Sequence, residues 1–319
     1  MKLFHETNIK FYSKKSQPKI CVISDIHFSY RVKDEKLESL RKKLEDRNPD
    51  YIFIPGDLVD SNNMIEKESE ENRLLNWLKS LGKIATVLIS EGNHDVYKKS
   101  SKEHRKKTGD KWEVIKNKDF IKKVNELENV HYLDNEAYED KNIYVLGLSL
   151  SEHYYCLLKT DKEKNPSPSG EDVNQFLKEL DNLNQNLITN LPKGKLKFAL
   201  IHSPMHLSDF RIKAELAEFD FTISGHMHNG LVTPVLDEIW RSDRGVVNPS
   251  RHLIAGNTRL SKKTIEQGMI IAGAVTTWHE SVGVFHNLNI LYPSYFMTLE
   301  FKKDEKYKKP YVTKKYLNY

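Results

Sequence analysis

The chain has 319 residues, 38% apolar and 10% aromatic, enough to bury a substantial core, so it reads as a globular protein. Charged residues reach 30%, but 50 basic side chains stand against 45 acidic ones, and a net charge of only +5 gives no strong case for a nucleic-acid or anionic-membrane partner. The amino terminus lacks a basic segment followed by an apolar core, and nowhere do about 18 apolar residues run together, so neither a signal peptide nor a membrane span is expected.

The apolar run 19–24 stops at Asp25-Ile26-His27. In an extended segment, residues i and i+2 point to the same side, so Asp25 and His27 can reach one ion. Taken alone, the same residues also read as a helix cap beside an incidental histidine. Leu37, Leu40 and Leu44 then recur at helical spacing, and Asn48-Pro49 ends that helix.

The strand-like run 50–54 stops at Pro55-Gly56-Asp57-Leu58-Val59-Asp60. A second helix, marked by Leu74, Leu75, Leu78 and Leu81, precedes a third strand over 84–89, which ends in Glu91-Gly92-Asn93-His94-Asp95. By itself the last tetrapeptide also fits a turn with a surface histidine. Three consecutive strands ending in such motifs argue otherwise. A β-α-β-α-β order implies parallel strands, which places all three polar turns on one edge of one sheet.

Residues 98–118 are lysine-rich and read as a solvated basic loop insertion, placed just after His94 where it could attract an anionic substrate. A short helix follows over 120–127, a strand over 143–148, a Pro- and Ser-rich loop over 165–170 and a longer helix marked by Val173, Phe176, Leu177, Leu180 and Leu187. The strand 196–201 ends at His202, and the run 219–224 ends at Gly225-His226-Met227-His228. The second half thus repeats the strand-end theme with imidazoles. His104 and His206 lack that setting and read as surface residues. Beyond 230 come a loop around Trp240, an apolar run at 269–275, an alternating run at 295–301 expected as an antiparallel strand near a sheet edge, and a basic tail. Cys21 and Cys156 have no metal-ligand spacing and read as buried free thiols of a reducing compartment, hence a cytoplasmic location.

Five ordered signatures, Asp25-x-His27, Gly56-Asp57-x-x-Asp60, Gly92-Asn93-His94-Asp95, His202 after a strand and Gly225-His226-x-His228, resemble the calcineurin-like metallophosphoesterase superfamily over residues 19 to about 230. The resemblance implies an α/β fold, a four-layer α/β/β/α sandwich of two mixed β-sheets flanked by helices, formed as a single domain over 1–319 with residues 231–319 completing the second sheet. It further implies two divalent metal ions, one held by Asp25, His27, Asp57 and His228, the other by Asp57, Asn93, His202 and His226, with Asp57 bridging. Manganese is the expected metal, with iron or zinc as alternatives, because the histidine content disfavours magnesium and calcium. A metal-bridging hydroxide would attack phosphorus in line, hydrolysing a phosphomonoester or phosphodiester. His94 would stabilise the transition state or protonate the leaving oxygen, Asp95 would orient it, and Asp60 would hydrogen-bond a ligand histidine.

The expected partner is a small phosphorylated substrate. A nuclease using the basic stretch, and a scaffold that kept the fold without catalysis, are the alternatives; nucleic acid is less favoured because the net charge is modest. No oligomeric state can be read. Specificity is expected in the 28–31, 98–118 and 231–260 loops and around Tyr154-Tyr155, with Arg31 and Arg241 as candidate phosphate contacts.

Overall fold

The computed structural model describes residues 4–60, 65–99, 113–149, 187–189, 191–203, 216–226, 253–255, 268–276, 294–303 and 311–312. In chain order these form β1 (Phe4–Ser13), β2 (Lys19–Val22), α1 (Asp34–Arg47), β3 (Tyr51–Pro55), α2 (Glu68–Gly82), β4 (Thr86–Ser90), β5 (Val96–Lys99), β6 (Glu113–Lys116), α3 (Lys118–Asn125), β7 (Val130–Leu133), β8 (Glu136–Glu139) and β9 (Ile143–Leu148). They continue with β10 (Leu196–Ile201), β11 (Phe221–Ser224), β12 (Leu253–Ala255), β13 (Gly268–Ile271), β14 (Ser294–Lys303) and β15 (Tyr311–Val312). The strands build two mixed sheets, one of order β15-β1-β14-β2-β3-β4-β7 and one of order β12-β13-β11-β10-β9-β8, with β5-β6 as a separate hairpin.

Side-chain alternation explains the layering. All of β3 is buried, because each of its faces meets a different neighbour. Ile52 and Ile54 pack with Leu40 and Leu44 of α1 and Leu74 and Leu78 of α2, covering one face of the first sheet with helices. Tyr51 and Phe53 point the other way, into a core shared with Phe198, Leu200, Phe221 and Ile223 of the second sheet. On that sheet's far face, Leu146, Leu148, Ala199 and Ile201 pack with Ile188, Leu216 and Phe219. The fold is therefore α/β, two mixed sheets stacked face to face. The helix expected up to Leu187 lies almost entirely outside the described residues.

Within the first sheet β2, β3 and β4 run parallel, as the β-α-β-α-β order requires, so their carboxyl ends share one edge. In the second sheet β9, β10, β11 and β13 are likewise parallel.

Three expectations need correction. Strand β1 carries no strong sequence signal, because the polar run His5-Glu6-Thr7-Asn8 separates its buried Phe4 from buried Ile9 and Phe11. The 295–301 run is an interior strand, since β14 lies between β1 (parallel) and β2 (antiparallel), and its residues from Ser294 to Leu299 are all buried. The segment beyond 230 thus serves both sheets, with β12 and β13 joining the second and β14 and β15 the first. The basic stretch 98–118 is also not a plain loop: its ends belong to the β5-β6 hairpin, paired Val96↔Lys116 to Lys99↔Glu113, and α3 starts at Lys118. Residues 100–112 lie outside the described part. No helix among the described residues is long and apolar enough to cross a membrane. Cys21 is buried and free, its thiol pushed up to about 12 by burial, while Cys156 falls outside the described residues.

Candidate metal centre

The loops that follow β2, β3, β4, β10 and β11 converge where the carboxyl ends of the two sheets meet. The loop after β2 continues the sheet in looser form: Asp25 N donates to Gly56 O, His27 N to Asp57 O and Phe28 N to Leu58 O. From the other side Val275 N and Thr276 N donate to the carbonyls of Ser24 and Asp25, so the Asp25 backbone is held between segments from both sheets.

Asp25 and His27 are not extended, contrary to the expectation from their spacing. Both adopt left-handed φ values, 51° and 46°, as do Asp57 at 51° and His226 at 66°. Such values cost energy in residues with a Cβ and persist where surrounding contacts over-determine the backbone. Here they turn the donor side chains inward at the point where each strand ends.

Asp57 is the hub. Its Oδ2 lies 2.9 Å from His202 Nε2 and 3.6 Å from His27 Nε2, while its Oδ1 accepts from His94 N at 2.9 Å. Asp25 Oδ1 stands 4.0 Å from the Nε2 atoms of both His27 and His202, and both its oxygens accept from His226 N at 3.1 Å. His226 Nδ1 is 3.0 Å from Asn93 Oδ1. Two donor groups emerge, His27 with Asp57 and His94, and Asp57 with His202 and His226, each with its donor atoms within 4.8 Å of one another. Asp57 belongs to both.

Two glycines make this density possible. A Cβ on Gly92 would sit 2.2 Å from Asp57 N and 2.3 Å from its Oδ1, and one on Gly225 would sit 1.9 Å from Ser24 Oγ and 2.6 Å from Asp25 Oδ2. Any other residue at either position would drive a carboxylate out of place.

The imidazoles are fixed through their second nitrogens. His202 Nδ1 meets Pro55 O at 2.7 Å, His27 Nδ1 lies 3.4 Å from Asp60 Oδ1, and His94 Nδ1 meets Asp60 O at 2.6 Å. Asp60 therefore holds two histidines, one with its carboxylate and one with its carbonyl. The Asp95 oxygens accept from Val59 N at 3.0 Å and Gly92 N at 2.8 Å, tying the loop after β3 to the turn after β4. The His94 ring nitrogen Nδ1 has the Asp60 carbonyl as its contact.

The electrostatics follow. Burial alone would raise the Asp57 carboxyl, but His202, His27 and His94 outweigh it and hold it well below the usual carboxylate range. Burial likewise opposes protonation of His202, yet Asp57 and Asp25 lift it to about 9, and His27 is raised for the same kind of reason by Asp60, Asp57 and Asp25. Asp95, buried beside Asp57, is pushed upward by burial and that neighbouring charge. Buried carboxylates facing several imidazoles are the donor chemistry of divalent first-row metals, and the residues present fit such ions.

A model of the calcineurin-like phosphoesterase family matches residues 18–230 of the sequence. The chain belongs to that family. It is 25% identical over 249 residues to an uncharacterized metallophosphoesterase of Aquifex aeolicus, a match covering 76% of this chain and 77% of the relative. A similar match, 23% identical over 229 residues, is to an uncharacterized metallophosphoesterase of Campylobacter jejuni; it covers 72% of this chain but only 49% of that protein. Among solved structures, a phosphopantetheinyl hydrolase of Mycobacterium tuberculosis aligns over 92% of this chain and 99% of its own at 12% identity and a TM-score of 0.44.

In this member of the family the structure brings together Asp25, His27, Asp57, Asn93, His94, His202 and His226, with Asp60 and Asp95 beside them; His228 lies outside the described residues. Sequence reasoning missed the main-chain groups, since Pro55 O and Asp60 O have no side-chain signature. It also missed Thr276, whose Oγ1 donates to Ile26 O at 2.5 Å and whose signal was available, as it follows the apolar run 269–275 at a strand end. In the basic hairpin, Lys116 is taken up by Asp134 and Glu91.

Proposed function

We propose that the chain is a metal-dependent phosphoesterase that hydrolyses a phosphomonoester or phosphodiester with two divalent ions, manganese first, iron or zinc as alternatives. The supporting observation is the sharing of buried Asp57 by two donor groups, because two cations held close together need a common anionic ligand to offset their repulsion. Asp25, His27, Asp57 and His228 would hold one ion; Asp57, Asn93, His202 and His226 the other. When bound, such ions supply Lewis acidity that acidifies water and neutralises phosphoryl charge.

The chain's own contribution to proton transfer is His94. A carbonyl can only accept, so the contact with Asp60 O puts a proton on Nδ1 and leaves Nε2 as the atom that gives or takes one. Protonated there, His94 can donate to the leaving oxygen; the T-shaped contact with the His27 ring, centroids 4.7 Å apart, helps hold its plane. Asp60 and Asp95 act by position, the first on the two histidines and the second on the loops that carry Asp57 and Asn93.

The test uses purified full-length chain loaded with Mn²⁺ and two esters, 4-nitrophenyl phosphate and its bis-ester. Hydrolysis should require metal, and stoichiometry should fall from about two ions per chain in Asp57→Asn. His94→Ala should keep both ions while losing about 10²–10⁴-fold in turnover. Wild-type turnover in that variant would remove His94 from the reaction.

A further inference from the structure

The turn over residues 29–32, just past His27, is held by main-chain and guanidinium contacts. Val32 N donates to Ser29 O at 2.9 Å, which closes the turn. Beneath it lies Arg73 of α2, whose guanidinium donates to Ser29 O at 3.4 Å and to Val32 O, pairs with Asp34 and with Glu70 at 3.0 Å, and rests 4.7 Å over the Phe28 ring. Phe28 is itself fully buried and bridged to Val59, and its carbonyl accepts from Asp60 N at 3.1 Å. The turn is therefore fastened to the same Asp60 segment that contacts His27 and His94.

What this turn presents outward is Tyr30, which is 64% exposed and the only large apolar side chain exposed among the described residues. The Arg31 guanidinium lies 5.4 Å from the centre of its ring, a cation–π contact that limits the ring's freedom, and its charge also acts on the Asp60 carboxylate. A guanidinium bonded to two main-chain carbonyls is a firm support for the turn. A ring held beside a charge, on a turn that starts two residues past His27 and whose Arg31 acts on the Asp60 carboxylate, is what a binding surface for a planar group requires.

We infer that the 29–32 turn is the specificity element for the leaving group, with Tyr30 stacking on a planar ring of the substrate, Arg31 holding Tyr30 in place, and Arg73 positioning the turn from below. The preferred substrates are then phosphoesters of ring-bearing alcohols, aryl or nucleoside-like, over esters of simple alkyl alcohols. This inference rests on the phosphoesterase reading, and binding separates the two.

The experiment uses the Mn²⁺-loaded full chain, with kcat/KM measured for 4-nitrophenyl phosphate and methyl phosphate, and with phenylphosphonate and methylphosphonate titrated calorimetrically as unreactive probes. Taking each variant relative to wild type cancels the intrinsic reactivity of the esters. Tyr30→Ala should lower kcat/KM for the aryl ester by about three- to tenfold more than for the alkyl ester, chiefly through KM, and weaken phenylphosphonate by a similar factor. Tyr30→Phe, which keeps the ring, should restore both values. Arg73→Lys, which keeps the charge but loses the fork, should reproduce the Tyr30→Ala pattern with the metal stoichiometry unchanged. Wild-type protein that turns over none of the esters would overturn the phosphoesterase reading. Tyr30→Ala that binds phenylphosphonate as tightly as wild type, or loses aryl and alkyl esters in equal proportion, would overturn this inference.

Discussion

Replacing Gly92 by alanine adds one methyl group at the most crowded point of the centre. Its carbon would arrive 2.2 Å from Asp57 N and 2.3 Å from Asp57 Oδ1, whereas ordinary contact begins near 3.4 Å, so Asp57 and the turn must part by about 1 Å. Neither side yields easily. The atoms met belong to backbone and to a short, fully buried carboxylate, and the turn is tied to the loop by Asp95. Overpacking of this kind costs about 1–3 kcal/mol of stability. A donor displaced by about 1 Å can cost on the order of 10²-fold in rate. Because Asp57 serves both donor groups, Gly92→Ala should lose metal and turnover together while denaturation shows a protein that still folds cooperatively. Metal content by mass spectrometry, ester hydrolysis and a urea melt on one preparation decide the matter. Full metal content with wild-type turnover would refute the claim that Gly92 is required for close approach to Asp57.

Other perturbations probe the frame. Phe53→Ala empties a site between the two sheets beside Phe198 and should cost about 3–5 kcal/mol by denaturant melt. Lys15 donates to both oxygens of nearly buried Asp220 at 2.7 Å, so Lys15→Met strands a charge and should cost about 3 kcal/mol, while the double variant Lys15→Met/Asp220→Asn should recover much of that. Burial works to raise Glu6, but Arg47 and Thr298 outweigh it and its pKa is lowered from 4.5. A depressed acid stabilises the fold above its unfolded value and loses that contribution as pH falls through the folded one. Arg47→Ala should accordingly melt lower than wild type at pH 7, with the gap closing as pH drops below about 4.5. A gap independent of pH would mean that the Arg47 contribution is packing alone.

The parts of the molecule legible in the sequence are those with a local period or a motif. Leu37, Leu40 and Leu44, and the buried stripe Leu74, Leu78 and Leu81, stand where helical spacing puts them. The strand ends that carry Asp25, Asp57, Asn93, His202 and His226 were visible because polar residues of one chemistry stop successive apolar runs. What was not visible depends on non-local pairing. Nothing in residues 295–301 distinguishes an edge strand from one enclosed by β1 and β2. Nor could spacing foretell that Asp25 and His27 converge through left-handed turns, or that Asp95 grips main-chain amides while a carbonyl of Asp60 meets His94. Those facts are set by partners far off in the chain.

The place of β14 has a consequence for how the protein is made. Its register with β1, from Phe4↔Ser294 to Ser13↔Lys303, joins segments far apart in sequence, and it separates β1 from β2, its neighbour in sequence. During translation β2, β3 and β4 can associate early, but the edge of β2 that β14 will occupy stays exposed until residue 303 has left the ribosome. An unpaired central edge is sticky for that whole interval. Ser24 and Asp25 also await Val275 and Thr276 to fasten their backbone, so the donor set is finished only after those two residues have been synthesised. Ribosome-bound chains halted before residue 268 should therefore be the protease-sensitive, aggregation-prone form of this protein.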